Sequence, residues 1–240
     1  SLMRALAEYI MKGRTQAILV SVLGVGTLFF AWIGAAAVGL VTLRQGARQG
    51  FVVLAWAVLP ASVILVMGRD VGPLASLIGV AFAATVLRAT VSLPMALLAS
   101  TASGVVTAIM MLTLGEAQMA AIMEVLQQFI NSVQTQSVQN GANAEMVQKI
   151  AVPSNADVAG LIGISNAISV AISLMLARWW QALLYNPGGF QQEFHQLRFT
   201  PIFSVGLFVT ALILANAGEQ FRVWVYFPLI PLMFAGFGLV

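Results

Sequence analysis

Charge is what this sequence has least of. Of its 240 residues only 8% are Asp, Glu, Lys or Arg, while 60% are apolar. An ordinary soluble domain carries about 25% charged residues and about 45–50% apolar ones, so water would not solvate such a surface and a soluble globular reading is excluded. Cysteine is absent altogether, which removes disulfide frameworks, thiolate metal sites and cysteine nucleophiles together. There is one histidine, His195, too few for a histidine-based metal site. Apolar residues do not alternate with polar ones in segments of about ten, as a membrane β-barrel would need.

What the chain has instead is long uncharged runs. Residues 51–67, 71–87, 89–115, 158–177, 199–218 and 223–240 each approach the roughly 20 residues that a helix needs to cross a hydrocarbon core about 30 Å thick. A further 27 residues, Ala17 to Leu43, carry no charge. That is too long for one upright helix and short for two full crossings. Phe29, Phe30 and Trp32 cluster at its centre, and such aromatics favour the headgroup level, so a turn is expected near residues 28–31. Segments of about 13–28 and 30–43 result, either as two short tilted crossings or as a re-entrant hairpin buried in protein. The expected fold is therefore all-α: a single polytopic membrane bundle over residues 1–240 with about eight segments.

The distribution of basic residues tests the hairpin. Only with it do Arg4, Lys12, Arg14, Arg44, Arg48, Arg88, Arg178 and Arg198 fall on one side and Arg69, Lys149 and Arg222 on the other, eight against three. By the positive-inside rule the N-terminus is expected in the cytoplasm of a bacterial cell, with the protein multi-pass in its inner membrane. The net charge of +3 is assigned to orientation in the lipid bilayer, not to nucleic acid. The basic flank and apolar stretch at the N-terminus lack a clear small-residue cleavage site, so this segment is expected to be retained. Ser1 and Leu2 precede Met3, which reads as the initiator, and the last apolar run is still open at Val240, so the natural polypeptide is expected to continue.

The one long polar stretch, 116–156, is expected on the outer side. Met119, Ile122, Met123, Leu126, Ile130 and Val133 recur at helical spacing among glutamines, predicting an amphipathic helix ended by Asn140 and Gly141. It would lie on the lipid or bundle surface, or act as a lid. A short helix near 143–150 and a Pro153-Ser154-Asn155 turn capping the next membrane helix follow. Phe190, Phe194 and Leu197 predict a second amphipathic piece on the cytoplasmic side, beside an aromatic belt of Trp179, Trp180 and Tyr185.

Candidate site residues are sparse. Ionisable groups inside a bundle are costly and are kept for use, and here every acidic residue falls at a loop or helix end. No catalytic residue, metal site or cofactor is therefore expected, and Asp70 reads as a turn residue before Gly72 and Pro73. Arg88 sits in a one-residue polar interruption between two segments, either as a snorkelling side chain or as an anion or partner contact. Ser100, Ser103 and Thr107 on one segment and Ser165, Asn166 and Ser169 on another either line a pocket for a polar solute or supply hydrogen bonds between helices. Ala31, Ala35 and Gly39 form a small-xxx-small stripe that permits close contact with another helix or with a membrane-protein partner.

The run Leu176-Ala-Arg-Trp-Trp-Gln, then Tyr185-Asn-Pro-Gly-Gly-Phe and Glu193-Phe-His-Gln-Leu-Arg, resembles the YybS-like membrane proteins of bacteria, as does Thr42-Leu-Arg-Gln-Gly-Ala-Arg. That family is similar to the substrate-binding S components of energy-coupling-factor vitamin transporters. The resemblance implies a non-enzymatic solute-binding or transport subunit working with a membrane partner, with Ala31, Ala35 and Gly39 similar in kind to the docking stripe of S components. S components have fewer helices than the eight segments read here. A scaffold or accessory subunit of a membrane complex is the alternative.

Overall fold

A computed structural model describes residues 1–239, and among these the chain is helical without β-strands. The helices are α1 (Leu2–Lys12), α2 (Arg14–Gly26), α3 (Ala31–Gln45), α4 (Ala47–Gly68), α5 (Gly72–Thr90), α6 (Leu93–Thr113), α7 (Glu116–Gln139), α8 (Ala144–Gln148), α9 (Asn155–Tyr185), α10 (Gly189–His195), α11 (Pro201–Asn216) and α12 (Tyr226–Phe237), with a 3-10 turn at Glu219–Phe221. Among the described residues, five segments are long and apolar enough to cross a membrane: α4, α5, α6, α9 and Glu219–Phe237. The expected eight is corrected to five. The other segments are shorter: α2 with 13 residues, α3 with 15 and α11 with 16, about 20 to 24 Å at about 1.5 Å per residue.

The stretch Ala17 to Leu43 is a hairpin. The chain turns through residues 27–30, where Leu28 takes a left-handed φ of 58°, and α2 returns against α3 at backbone contact. A Cβ on Gly24 would lie 2.8 Å from the Gly34 amide nitrogen, and Ser21 Oγ donates to the Gly34 carbonyl at 3.0 Å. Every residue from Gly34 to Leu43 is buried. This short helix is thus the axis of the bundle, ringed by α2, α4, α5 and α9. A helix sheathed in protein does not need to match the hydrocarbon thickness, which is why its length falls short of a full crossing.

The hairpin also gathers cations at one end of the bundle. Arg14 donates to Gln49 at 2.9 Å, the Arg44 guanidinium lies 3.8 Å above the Tyr185 ring, and Arg88 reaches the Leu43 carbonyl at 2.6 Å. Two boundary expectations fail there. Residues 89–115 are not one segment: Ala89 and Thr90 complete α5, Val91 turns in a left-handed conformation, and α6 begins at Leu93. Ser92 caps α6 and Pro94 sits in its first turn, where proline's missing amide hydrogen costs nothing. Likewise 158–177 grows into the 31 residues of α9, about 46 Å long at about 1.5 Å per residue. Arg178 does not stop it, because Glu193 on α10 accepts from its guanidinium at 2.8 and 3.3 Å. The aromatic belt is corrected as well, since Trp180 is fully buried in the core and Tyr185 stacks under Arg44.

The opposite end carries α7 and α8. The amphipathic helix ends before Asn140 and Gly141 as expected, and its first turns pack Met119, Ile122, Met123 and Leu126 over Met111, Val158 and Ala159. Gln134 Nε2 donates to the Val147 and Ile150 carbonyls at 3.3 and 3.2 Å, which braces α8. Ser154 and Asp157 form a capping box at the start of α9. Asp157 also holds Arg222 at 2.7 Å, tying the α11–α12 connection to this end. The N-terminal helix α1 was not expected. It buries Ala7 and Ile10 with Met3 and Leu6 on the same face, while the exposed Arg4–Glu8 pair spans one turn at 2.9 Å.

Candidate functional site

Three helices bring hydroxyl and carboxamide groups to one point near the α7 end. Asn166, on α9, is only 5% exposed. Its Nδ2 donates to Thr107 Oγ1 at 3.1 Å and to Ser103 Oγ at 3.4 Å, both on α6. Its Oδ1 accepts from Ser76 Oγ of α5 at 3.3 Å. Ser76 Oγ also lies 3.3 Å from Ser169 Oγ. A hydroxyl has one proton, so when Ser76 gives its proton to Asn166, Ser169 must donate to Ser76. Both Asn166 donors are then used, while Asn166 Oδ1 and the two serines keep free lone pairs.

Backbone approach makes this convergence possible. A Cβ on Gly104 would sit 2.6 Å from Ala167 Cβ, and one on Gly163 would sit 2.8 Å from Ala108 Cβ, so α6 and α9 cross with almost nothing between them. On α5 a Cβ at Gly79 would come 2.6 Å from Val170 Cγ2. Small residues at helix crossings let short polar side chains reach across.

Ser76, Thr107, Asn166 and Ser169 of this cluster form the floor of a cleft of about 640 Å3, within the usual range of about 300–1,000 Å3 for small-molecule sites. Leu28, Ala31 and Trp32 from the hairpin tip make one wall, the Arg69–Pro73 turn another, and Ile122 of α7 hangs over it. Asp70 Oδ1 accepts from the Gly72 amide at 2.9 Å, as a turn residue does. The polar groups on the floor are neutral, and the charges on the lining, Arg69 and Asp70, are one of each sign.

The sequence-level candidates divide accordingly. Ser103, Thr107, Asn166 and Ser169 meet, and Ser165 lines the cleft from an exposed position on α9. Ser100 stands apart: it is fully buried and its Oγ donates to the Ala96 carbonyl of its own helix at 2.9 Å. Arg88 is at the other end of the bundle, where its Nη1 caps the last turn of α3. Ala31 lines the cleft, whereas Ala35 and Gly39 are buried inside the bundle; a Cβ on Gly39 would be 3.0 Å from Ala177 and Val80. That part of the stripe is occupied by the chain's own helices, not by a partner. Ser76, Arg69 and Trp32 were missed. Ser76 had a signal, as a rare hydroxyl within the apolar run 71–87. His195 is exposed at the end of α10, away from the cleft. Compared with family models, with curated proteins and with solved structures, this chain matches none.

Proposed function

We propose that this chain is a membrane-embedded solute-binding subunit, S-component-like in role, whose ligand sits on the Asn166 cluster. The observation that carries this reading is a carboxamide held by hydroxyls from two other helices at the floor of an open cleft of about 640 Å3. The groups on the cleft floor are neutral, and the carboxylate on its lining, Asp70, is hydrogen-bonded to the Gly72 amide and to none of the cluster hydroxyls, so binding is favoured over turnover. Under this reading the basic-rich end with Arg14, Arg44 and Arg88 faces the cytoplasm of a bacterial cell, and the cleft under α7 opens to the outer side of the inner membrane.

The test is a thermal-unfolding screen of the purified protein against vitamins, nucleosides and lipids. A ligand at about 100 times its Kd stabilises the folded state by about 2.7 kcal/mol. Asn166→Leu, close in volume but without hydrogen-bonding groups, should remove the response. If no solute raises Tm, or if the variant responds as the wild type does, the reading is wrong.

The accessory-subunit alternative draws on α11, where Ala211 is the single buried residue and Ile202, Val205, Phe208 and Ile213 are exposed. Stoichiometric co-purification of another membrane protein, lost when Phe208 is changed to Ala but not when Asn166 is changed, would favour it.

A further inference from the structure

A second cleft of about 640 Å3 lies beside the first. Leu74, Ile78 and Phe82 of α5 line it from one side and Val106, Met110 and Met111 of α6 from the other. Its lining is almost wholly apolar, and Ile78, Phe82, Val106 and Met110 are about half exposed on the bundle surface. The two clefts are not independent, because Val71, Ala75 and Thr107 line both. They also share a roof. Gln118 of α7 borders the apolar cleft and Ile122, one turn later on the same helix face, borders the polar one.

We infer that the two clefts form one continuous site for a zwitterionic glycerophospholipid-like amphiphile, with its acyl chain between α5 and α6 and its head on the Asn166 cluster. This rests on the solute-binding reading above and names the ligand class for that same site. An apolar lobe that opens sideways gives access from the hydrocarbon, where a water-soluble solute would be excluded. Gln118 and Ile122 of α7 border the two lobes at the same end of the bundle. The lining of the polar lobe supplies one cation and one carboxylate, Arg69 and Asp70. Among the described residues Arg69 makes no ion pair, so its guanidinium is available to a phosphate. Asp70 spends one carboxylate oxygen on the Gly72 amide and has the other for an ammonium. A head with both charges matches this pair, and the one free glycerol hydroxyl of a single-chain lysophospholipid can donate its proton to a free lone pair of Asn166, Ser76 or Ser169.

The probes are oleoyl lysophosphatidylethanolamine, its water-soluble head glycerophosphoethanolamine, and uncharged monoolein, each titrated against the protein in amphipol with Tm as readout. The lysophospholipid should stabilise saturably, and the free head should act with an apparent affinity about tenfold weaker or less, because the chain concentrates the head at the site. Ala75→Trp, which fills the junction, should abolish the lysophospholipid response, and Asn166→Leu should abolish the responses to both the lysophospholipid and the free head. Because a bulky junction variant can misfold, the same lysophospholipid with a diazirine in its acyl chain is crosslinked to the wild type. Adducts should fall within residues 74–82 and 102–114 and be competed by unlabelled lysophospholipid but not by monoolein. Equal stabilisation by monoolein, or uncompeted adducts spread over α4 and α11, overturns the amphiphile. If water-soluble solutes still protect through Asn166 in that case, the solute-binding reading survives; if nothing depends on Asn166, both fall.

Discussion

The crossing of α6 and α9 offers the sharpest test of how packing supports the site. In Gly163→Ala the new Cβ would lie 2.7 Å from Phe227 Cζ and 2.8 Å from Ala108 Cβ, and against the Gly104 carbonyl oxygen. Carbon atoms rest about 3.5–4.0 Å apart, so α9 must move away from α6 by about an ångström. Asn166 is three residues further along α9, and its 3.1 Å hydrogen bond to Thr107 would stretch past the limit of about 3.5 Å. Overpacking costs about 1–3 kcal/mol, and a lost hydrogen bond between membrane helices adds about 0.6 kcal/mol, so a total near 2–3 kcal/mol is expected. Gly206→Ala on α11 is the control, since nothing lies within 4 Å of its added Cβ and a helical Gly→Ala exchange is neutral to about 1 kcal/mol stabilising. Thermal unfolding in detergent, followed by tryptophan fluorescence with and without ligand, reads both effects. If Gly163→Ala melted with Gly206→Ala and kept full ligand response, close helix approach would not be what positions Asn166.

Three further outcomes follow from other parts of the molecule. Ser154→Ala removes the Oγ that accepts from the Asp157 amide at 3.1 Å and should cost about 1 kcal/mol, whereas Asp157→Ala should cost more, because it also releases Arg222; paired denaturation curves compare them. Arg88→Met takes the donor from the Leu43 carbonyl and should lower stability by about 1 kcal/mol while leaving ligand affinity unchanged, and a loss of affinity measured by Tm titration would place Arg88 back among the ligand contacts. Because the chain has no cysteine, Gln139→Cys and Gln191→Cys are single labels on exposed positions at opposite ends of the bundle. In cells a membrane-impermeant maleimide should modify the first and not the second, and labelling of both from outside would refute the proposed orientation.

Local chemistry was readable wherever one short stretch decides the outcome. The aromatic cluster Phe29, Phe30 and Trp32 marked the hairpin tip, the Pro153-Ser154-Asn155 turn the start of α9, and the apolar spacing from Met119 to Val133 the amphipathic helix. Helix α1 escaped because a scan for uncharged runs passes over 11 residues that include Arg4, Glu8 and Lys12, although Met3, Leu6, Ala7 and Ile10 share one face. The count of crossings was overestimated for a related reason: hydropathy reports that a segment avoids water, but it does not separate a helix ringed by protein, as α3 is, from one with most of its apolar surface on the outside of the bundle, as α4 has.

The sequence by itself therefore determined the all-α class, the apolar bundle and most of the turns, since these depend on side-chain transfer and on interactions within a few residues. Only the tertiary structure decided that Ser76, Ser103, Thr107, Asn166 and Ser169 meet while Ser100 and Arg88 do not. That choice depends on which faces of α5, α6 and α9 come together, and Gly79, Gly104 and Gly163 settle it through contacts made 59 to 93 residues apart in the cluster's hydrogen bonds, which no pattern along the chain records.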